Sequence, residues 1–315
     1  MAKMLSRRGL LAAGGAAVGA GVAAPWAAPE NTSTQPGGVM FKFCLNTSTI
    51  SGQRLKIMQQ IEVAAKAGYD AIEPWLRDVE AYVKDGGNLA DLKKAIHDRG
   101  LTVEDAIGFA QWIVDDEGAR KKGLEQLKRD MDVVARIGGK RIAAPPAGAT
   151  DRADLNLLMA AERYRVIADM GQELGVTPQV EIWGGSKCLC KLGEAALVAI
   201  ESGSERACIL PDIFHMYKGN TPFSGLRLLG GSMLQMIHLN DYPADPPRAR
   251  AQDSHRVYPG DGVAPMGQIL KDLAAVNPKC VLSLELFNRE YWKLDALEAA
   301  KIGLKKMKTA VAKAM

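Results

Sequence analysis

The sequence lacks several features that would settle a function at sight. Cysteine is scarce: five in 315 residues, at 44, 188, 190, 208 and 280. An odd number at scattered spacings excludes a disulfide framework and a zinc knuckle, and Cys188-Leu189-Cys190, with no further Cys or His close by, reads as incidental. No Gly-x-Gly-x-x-Gly follows the first strand candidate and no P-loop occurs, which removes the commonest dinucleotide and nucleotide sites. There is no lysine-rich phosphate cradle. A bulk charge excess is missing too. Lys3, Arg7 and Arg8 lie in the first 29 residues, which hold no acid, leaving 37 of the 40 basic residues against 36 acids in the body. That balance is not the footprint of a general nucleic-acid binder. Beyond residue 28 no segment is apolar enough to span a membrane.

The opening, by contrast, is distinctive. Ser6-Arg7-Arg8-Gly9-Leu10-Leu11 leads into an uncharged Ala/Gly run that ends at Ala28. An arginine pair before such a run resembles a bacterial twin-arginine export signal. The run is weakly hydrophobic, so residues 1–28 are expected to be a cleaved signal, with several small residues between Ala24 and Ala28 offering cleavage sites. Residues 29–38 (PENTSTQPGG) read as a polar linker. The expected destination is the periplasm, with no membrane contact in the mature form. The twin-arginine route is known for carrying folded proteins, often with cofactor in place, which suits a reduced, metal-loaded chain.

From residue 39 onward, short apolar runs alternate with longer amphipathic ones. Strand candidates are 39–45, 69–73, 101–107, 140–144, 178–183, 207–213, 233–239 and 280–287. Helical patterns fill 53–67, 88–99, 117–137, 153–174, 191–202, a short stretch near 223–230, 265–275 and 295–313. Gly68, Gly100, Gly138 and Gly175 lie where left-handed C-cap glycines belong, and Asn88 and Asp295 are N-cap candidates. Eight β-then-α repeats imply a parallel sheet closed as a single-domain (β/α)₈ TIM barrel over 39–315.

In such a barrel the C-terminal strand ends face the active site. Those ends carry Glu73, Glu181, Asp212 with His215, His238 with Asn240 and Asp241, and Glu285. Each is a charged or imidazole group in an apolar run, so each needs a partner or a metal. Four consecutive strands offering Glu181, Asp212, His238 and Glu285 form an oxygen-rich ring. It favours Mn²⁺ or Mg²⁺ and is compatible with Co²⁺ or Zn²⁺; the absence of thiols argues against structural zinc.

These residues resemble the xylose isomerase-like TIM barrels, the sugar phosphate isomerases and epimerases. The matching pieces are Gly68-Tyr69-Asp70-Ala71-Ile72-Glu73, Glu181, Asp212-x-x-His215, His238-Leu239-Asn240-Asp241, Arg256-x-x-Pro259-Gly260-Asp261-Gly262 and Glu285. The resemblance spans 41–313. It implies one divalent ion held by Glu181, Asp212, His238 and Glu285, with Glu181 and Glu285 also the acid–base pair. It places His215 and Arg256 at the substrate oxygens; Trp183 and Glu73 are further substrate-site candidates.

The expected chemistry is proton transfer beside a carbonyl of a sugar or keto-sugar derivative, through an enediolate. The alternative is a lyase or dehydratase that uses the same enolate on a keto-sugar, keto-glycoside or inosose. Trp75, Trp112, Trp183 and Phe287 lie at or near strand ends, where rings suit either the C–H face of a sugar or core packing. His97 is expected in solvent, and 244–258 is a long polar loop. Where the ketose 3-epimerase branch has an arginine six residues after the ligand histidine, this chain has Ala244. That departure argues against free ketohexoses as substrates. The expected partner is a small-molecule sugar with no nucleic acid, and analogy adds a homo-oligomer.

Overall fold

The computed structural model describes residues 40–315. The export-signal and linker readings lie outside the described residues. Eight parallel strands alternate with helices along the chain: β1 (Lys42–Asn46), α1 (Ile57–Ala67), β2 (Ala71–Glu73), α2 (Leu76–Lys84), α3 (Leu89–Asp98), β3 (Thr102–Val103), α4 (Glu117–Arg136), β4 (Arg141–Ala144), α5 (Leu157–Leu174), β5 (Thr177–Glu181), α6 (Leu192–Glu201), β6 (Cys208–Leu210), α7 (Ile213–Lys218), β7 (Met236–Leu239), α8 (Met266–Val276), β8 (Val281–Leu284) and α9 (Ala296–Ala314).

Five strands run in the order β3-β2-β1-β8-β7 and three in the order β4-β5-β6. The register sets Asn46 beside Glu73 and His238 beside Ser283. The two arcs close into a barrel at two thin seams. One is the Ala143 N–H to Ala106 carbonyl bond at 3.0 Å. The other is a parallel bridge between Asp212 and His238, with the His238 N–H donating to the Pro211 carbonyl at 2.9 Å. The architecture is the expected TIM barrel.

Local sequence explains the elements. In α1, Ile57, Ile61 and Ala64 recur one helical turn apart and are buried. The helix stops at Gly68, whose φ of 91° lets its N–H reach the Ala64 and Ala65 carbonyls. Gly100, Gly138 and Gly175 also have positive φ, as expected from their positions. Asn88 and Asp295 cap α3 and α9 through side-chain oxygens. The main apolar core lies between strands and helices, and a smaller one, built on Cys44, Ala71, Ala143, Leu210, Met236 and Val281, fills the barrel interior.

Several expectations are corrected. The third strand ends at Val103 rather than 107, because Glu104 and Asp105 turn into buried polar networks. The first helix starts at 57, since 47–53 forms a 3₁₀ segment capped by Asn46. The stretch near 223–230 is a 3₁₀ segment too. Helix α2 was not among the expected patterns, and α7 is a short helix that Asp212 caps directly after the sixth strand. At the N-terminal end of the barrel, Glu104 is clasped by Lys42 (2.7 Å), Lys140 (3.0 Å) and Arg141 (2.7 Å). Burial raises its pKa, but these partners and the Thr102 hydroxyl outweigh burial and hold it at about 2. All five cysteines are free. No helix among the described residues is long and apolar enough to cross a membrane.

Candidate active site

The strand ends deliver Glu181 from β5, Asp212 just after β6, His238 from β7 and Glu285 just after β8. Ligand atoms of Asp212, His238 and Glu285 lie within 4.8 Å of one another. Glu181 is not in that tight group; it shares with Glu285 a cleft of about 360 Å³. The cleft is also lined by His215, Arg256, Asp253, Trp75, Phe109, Trp183 and Phe287.

Asp212 does two things at once. As N-cap of α7, its Oδ1 accepts the His215 N–H at 2.7 Å. Its Oδ2 accepts from Asn240 Nδ2 (2.8 Å) and Arg256 Nη1 (2.7 Å). Helix capping therefore aims the second oxygen into the cluster.

His238 is fully buried. Its Nε2 lies 2.9 Å from Glu73 Oε1. Its Nδ1 faces Glu285 Oε2 at 3.1 Å and Asp212 Oδ2 at 3.7 Å, yet makes no well-directed hydrogen bond. Burial works against the imidazolium, but the charges of Glu285 and Glu73 outweigh it and raise the pKa well above its usual value.

Glu73, expected at the substrate, instead sits behind His238 with no exposed surface and does not line the cleft. It accepts from Ser283 Oγ and meets Asp105. Burial and then the Glu73 charge push the Asp105 carboxyl well above its ordinary range, so Asp105 is a neutral acid in this pair. Asp105 was missed, although it carries the signal used elsewhere, an acid inside an apolar strand candidate.

Arg256 is buried at the centre. Its Nη1 donates to Asp212 (2.7 Å) and Glu285 (2.9 Å), and its Nη2 to Asp253 (2.6 Å). Nη2 also lies 3.0 Å from His215 Nε2. Since a guanidinium only donates, His215 Nε2 accepts and its proton belongs on Nδ1. Burial lowers the His215 pKa despite the Asp212 charge. The loop bearing Arg256 is tied down by Lys218 Nζ, which donates to the carbonyls of Arg248 (2.9 Å), Ala249 (3.0 Å) and Ala251 (2.7 Å). Asp241, also unassigned from sequence, accepts four backbone N–H groups, from Tyr242, Gly260, Gly262 and Ala264. It clamps the Pro259-Gly260-Asp261-Gly262 turn. A Cβ on Gly262 would stand 2.3 Å from both Asp241 Oδ1 and the Tyr242 carbonyl.

The two glutamates are driven apart. Burial, together with the charges of Glu285 and Asp212, lifts the Glu181 pKa to about 8. Burial also works against the Glu285 carboxylate, but His238 and Arg256 outweigh it and hold its pKa below the usual value. The surroundings thus favour the acid form at Glu181 and the carboxylate at Glu285. Among the aromatics, Trp75, Trp183 and Phe287 line the cleft, whereas Trp112 is fully buried and donates to the Pro145 carbonyl at 2.9 Å. Phe109, which sequence reading passed over, joins the wall. His97 is exposed.

A closed parallel barrel with a buried carboxylate–histidine cluster at its C-terminal mouth defines a class of barrel enzymes. This chain belongs to the xylose isomerase-like TIM barrel family, whose model matches residues 61–310. It is 27% identical to an inosose isomerase of Bacillus velezensis, over 86% of this chain and 98% of that protein. It is 23% identical to a 3-dehydro-D-guloside 4-epimerase of Escherichia coli, over 70% of this chain and 83% of the other. Among solved structures, the IolI protein with a bound zinc atom superposes with a TM-score of 0.81 at 22% identity, covering 87% of this chain and 99% of that one. The relatives thus include isomerases, an epimerase and, at 22% identity over 83% of this chain and 40% of that protein, a 3-dehydroshikimate dehydratase of Pseudomonas putida.

Proposed function

We propose that this chain is a divalent-metal-dependent isomerase or epimerase of a keto-sugar or keto-cyclitol, exported by the twin-arginine route to the periplasm. The observation that carries the reading is geometric: Asp212, His238 and Glu285 converge at the barrel mouth, and Glu181 shares one cleft with Glu285, the placement an acid–base pair needs.

The residues present fit a divalent ion. Glu181 Oε2 and His238 Nδ1 are buried without a hydrogen-bond partner, and Asp212 and Glu285 converge on the same imidazole. Even with Asp105 and Glu181 neutral, the Glu73, Asp212 and Glu285 carboxylates, with Asp253 at the rim, outnumber Arg256 and the His238 imidazolium, so negative charge is in excess. The holders would be Glu181, Asp212, His238 and Glu285; oxygen-rich donors favour Mn²⁺ or Mg²⁺, and zinc is the ion in the IolI neighbour. When bound, the ion supplies Lewis-acid stabilisation of the negative charge that develops on the substrate oxygens.

The protein's own groups do the rest. The two glutamates form the acid–base pair: Glu285 takes the proton from the carbon beside the carbonyl, and Glu181 is the group that returns one from the other side. Arg256 and His215 orient the substrate oxygens, and Trp183 shields one face. Glu73 fixes the His238 ring. Glu181 also suits the second reading, a lyase, because the same group can protonate a departing hydroxyl or glycosyl oxygen.

The test is deuterium uptake beside the carbonyl of 2-keto-myo-inositol in D₂O, with metal-loaded and EDTA-treated protein. Exchange that depends on metal and on Glu285 is expected, together with an isomeric keto product. Unimpaired exchange after EDTA treatment counts against the metal. An enone product turns the reading to the lyase. For export, the chain fused to a reporter that matures only after folded translocation is expected to lose its signal when Arg7 and Arg8 become lysine.

A further inference from the structure

We propose that the barrel carries a second site, at its N-terminal end, that binds a small tetrahedral oxyanion: phosphate, sulfate or the phosphate group of an ester. It lies at the end of the barrel opposite the cleft and does not depend on the enzymatic reading.

The chain builds this pocket from strand starts, as it builds the cleft from strand ends. Lys140 and Arg141 stand at the start of β4, Thr177 opens β5, Arg206 comes two residues before β6, and Ser232 and Gln235 lead into β7. They line a cavity of about 290 Å³. Charge is the first argument for a ligand. Three of the lining residues, Lys140, Arg141 and Arg206, are cations, against one acid, Glu205. Behind them a single carboxylate, Glu104, is shared by Lys42, Lys140 and Arg141. Four cations thus meet two carboxylates, and positive charge is left over in a concave space that focuses it. Glu205 is exposed, so its carboxylate can turn to water. Arg206 is exposed too, and its guanidinium makes one hydrogen bond among the described residues, from Nη2 to Thr177 Oγ1 at 3.0 Å.

Unspent donors are the second argument. Arg141 is only 6% exposed. Its Nη1 donates to Gln235 Oε1 at 3.0 Å and its Nη2 to Glu104 at 2.7 Å. Its Nε is buried with no acceptor. Buried donors are rarely left so, and an acceptor oxygen in the pocket would complete the set after a small turn of the guanidinium. Thr177, 8% exposed, accepts from Arg206 and keeps its own hydroxyl proton to give. The Ser232 hydroxyl adds a donor on the far wall. A planar carboxylate brings two acceptor oxygens, whereas phosphate or sulfate brings up to four in a tetrahedron. The larger number suits a guanidinium fork, an ammonium and two hydroxyls that converge from the starts of four strands.

The experiment is equilibrium dialysis of radiolabelled phosphate against the full chain at constant ionic strength, with the protein Mn²⁺-loaded and again after EDTA treatment and dialysis. One phosphate per chain is expected to bind saturably at millimolar concentration or below, and to persist when the metal is gone. Arg206→Gln changes an exposed side chain and should weaken binding about tenfold, as loss of a charge-assisted hydrogen bond does. Lys140→Gln should weaken it as well and serves if the first chain misfolds. Lys121→Gln, an exposed change on α4, should leave it unaltered. Sulfate should displace the label and succinate should not. Displacement by glycerol 2-phosphate as strong as by phosphate itself identifies an ester as the ligand, and weaker displacement identifies the free anion; both keep the site. The proposal is overturned by no saturation at millimolar phosphate, or by binding that leaves with the metal, which puts the anion in the cleft. It is equally overturned by displacement with succinate, by wild-type affinity in Arg206→Gln or Lys140→Gln, or by an equal loss in Lys121→Gln, which reduces the effect to net charge.

Discussion

Glu181→Gln offers a test whose size follows from burial. In the folded, metal-free chain Glu181 keeps its proton to about pH 8, against an ordinary value of 4.5. The unfolded chain releases that proton near 4.5, so between the two values the folded state binds more protons and stability must fall as pH rises. At roughly 1.4 kcal/mol for each tenfold change, the wild type should lose about 3 kcal/mol from this group between pH 5 and pH 8. A neutral amide at 181 removes that loss. Any packing or hydrogen-bond defect of the amide is the same at every pH and cancels in the comparison. Urea unfolding of both chains in EDTA, at half-unit steps from pH 5 to pH 8, measures it. The variant should gain on the wild type steadily as the medium becomes alkaline. Parallel stability curves would refute the claim that burial and the neighbouring carboxylates outweigh His238 and keep Glu181 protonated, and the acid–base assignment would go with it.

Three further outcomes are expected. Glu73→Gln keeps the shape beside His238 but removes the charge that faces Nε2, and Mn²⁺ affinity by calorimetry should drop roughly 10- to 100-fold; wild-type affinity would show Glu73 to be mere filling. Gly262→Ala forces a methyl against Asp241 and the Tyr242 carbonyl, and denaturant unfolding should register about 1–3 kcal/mol of destabilisation. Glu104→Gln breaks the clasp with Lys42, Lys140 and Arg141. The Glu104 pKa is depressed, so its contribution is full above pH 4.5 and fades as pH falls toward 2. The wild type should exceed the variant by about 3 kcal/mol at pH 7 and converge on it near pH 2, followed by circular dichroism.

The barrel was legible because each repeat writes its own period, and because glycines such as Gly68 and Gly175 mark helix ends that only a left-handed residue can make. Helix α7 was not, since Asp212-Ile213-Phe214-His215 continues the apolar run of β6 and only the Asp212 cap turns it. Helix α2 begins directly after β2 behind Trp75, with no side-chain cap to announce it. At the site, acids in apolar strands pointed to Glu181, Asp212 and Glu285. The same signal in 101–107 went unread at Asp105, and Glu73 was assigned to the substrate because sequence cannot say which face of a short strand end is outward. Phe109 carries no local pattern; only the fold sets it between tryptophans from two other strands.

The junction where β6 meets β7 gives occupancy a mechanical meaning. One of the bridges closing that junction joins Asp212 to His238, so whatever those two side chains grip also staples the cylinder shut. Filling the mouth should slow amide exchange of the His238 N–H, and emptying it should let the wall breathe along that line while the β1–β2 and β1–β8 ladders stay closed. Ligand binding and barrel integrity are, at that seam, the same event.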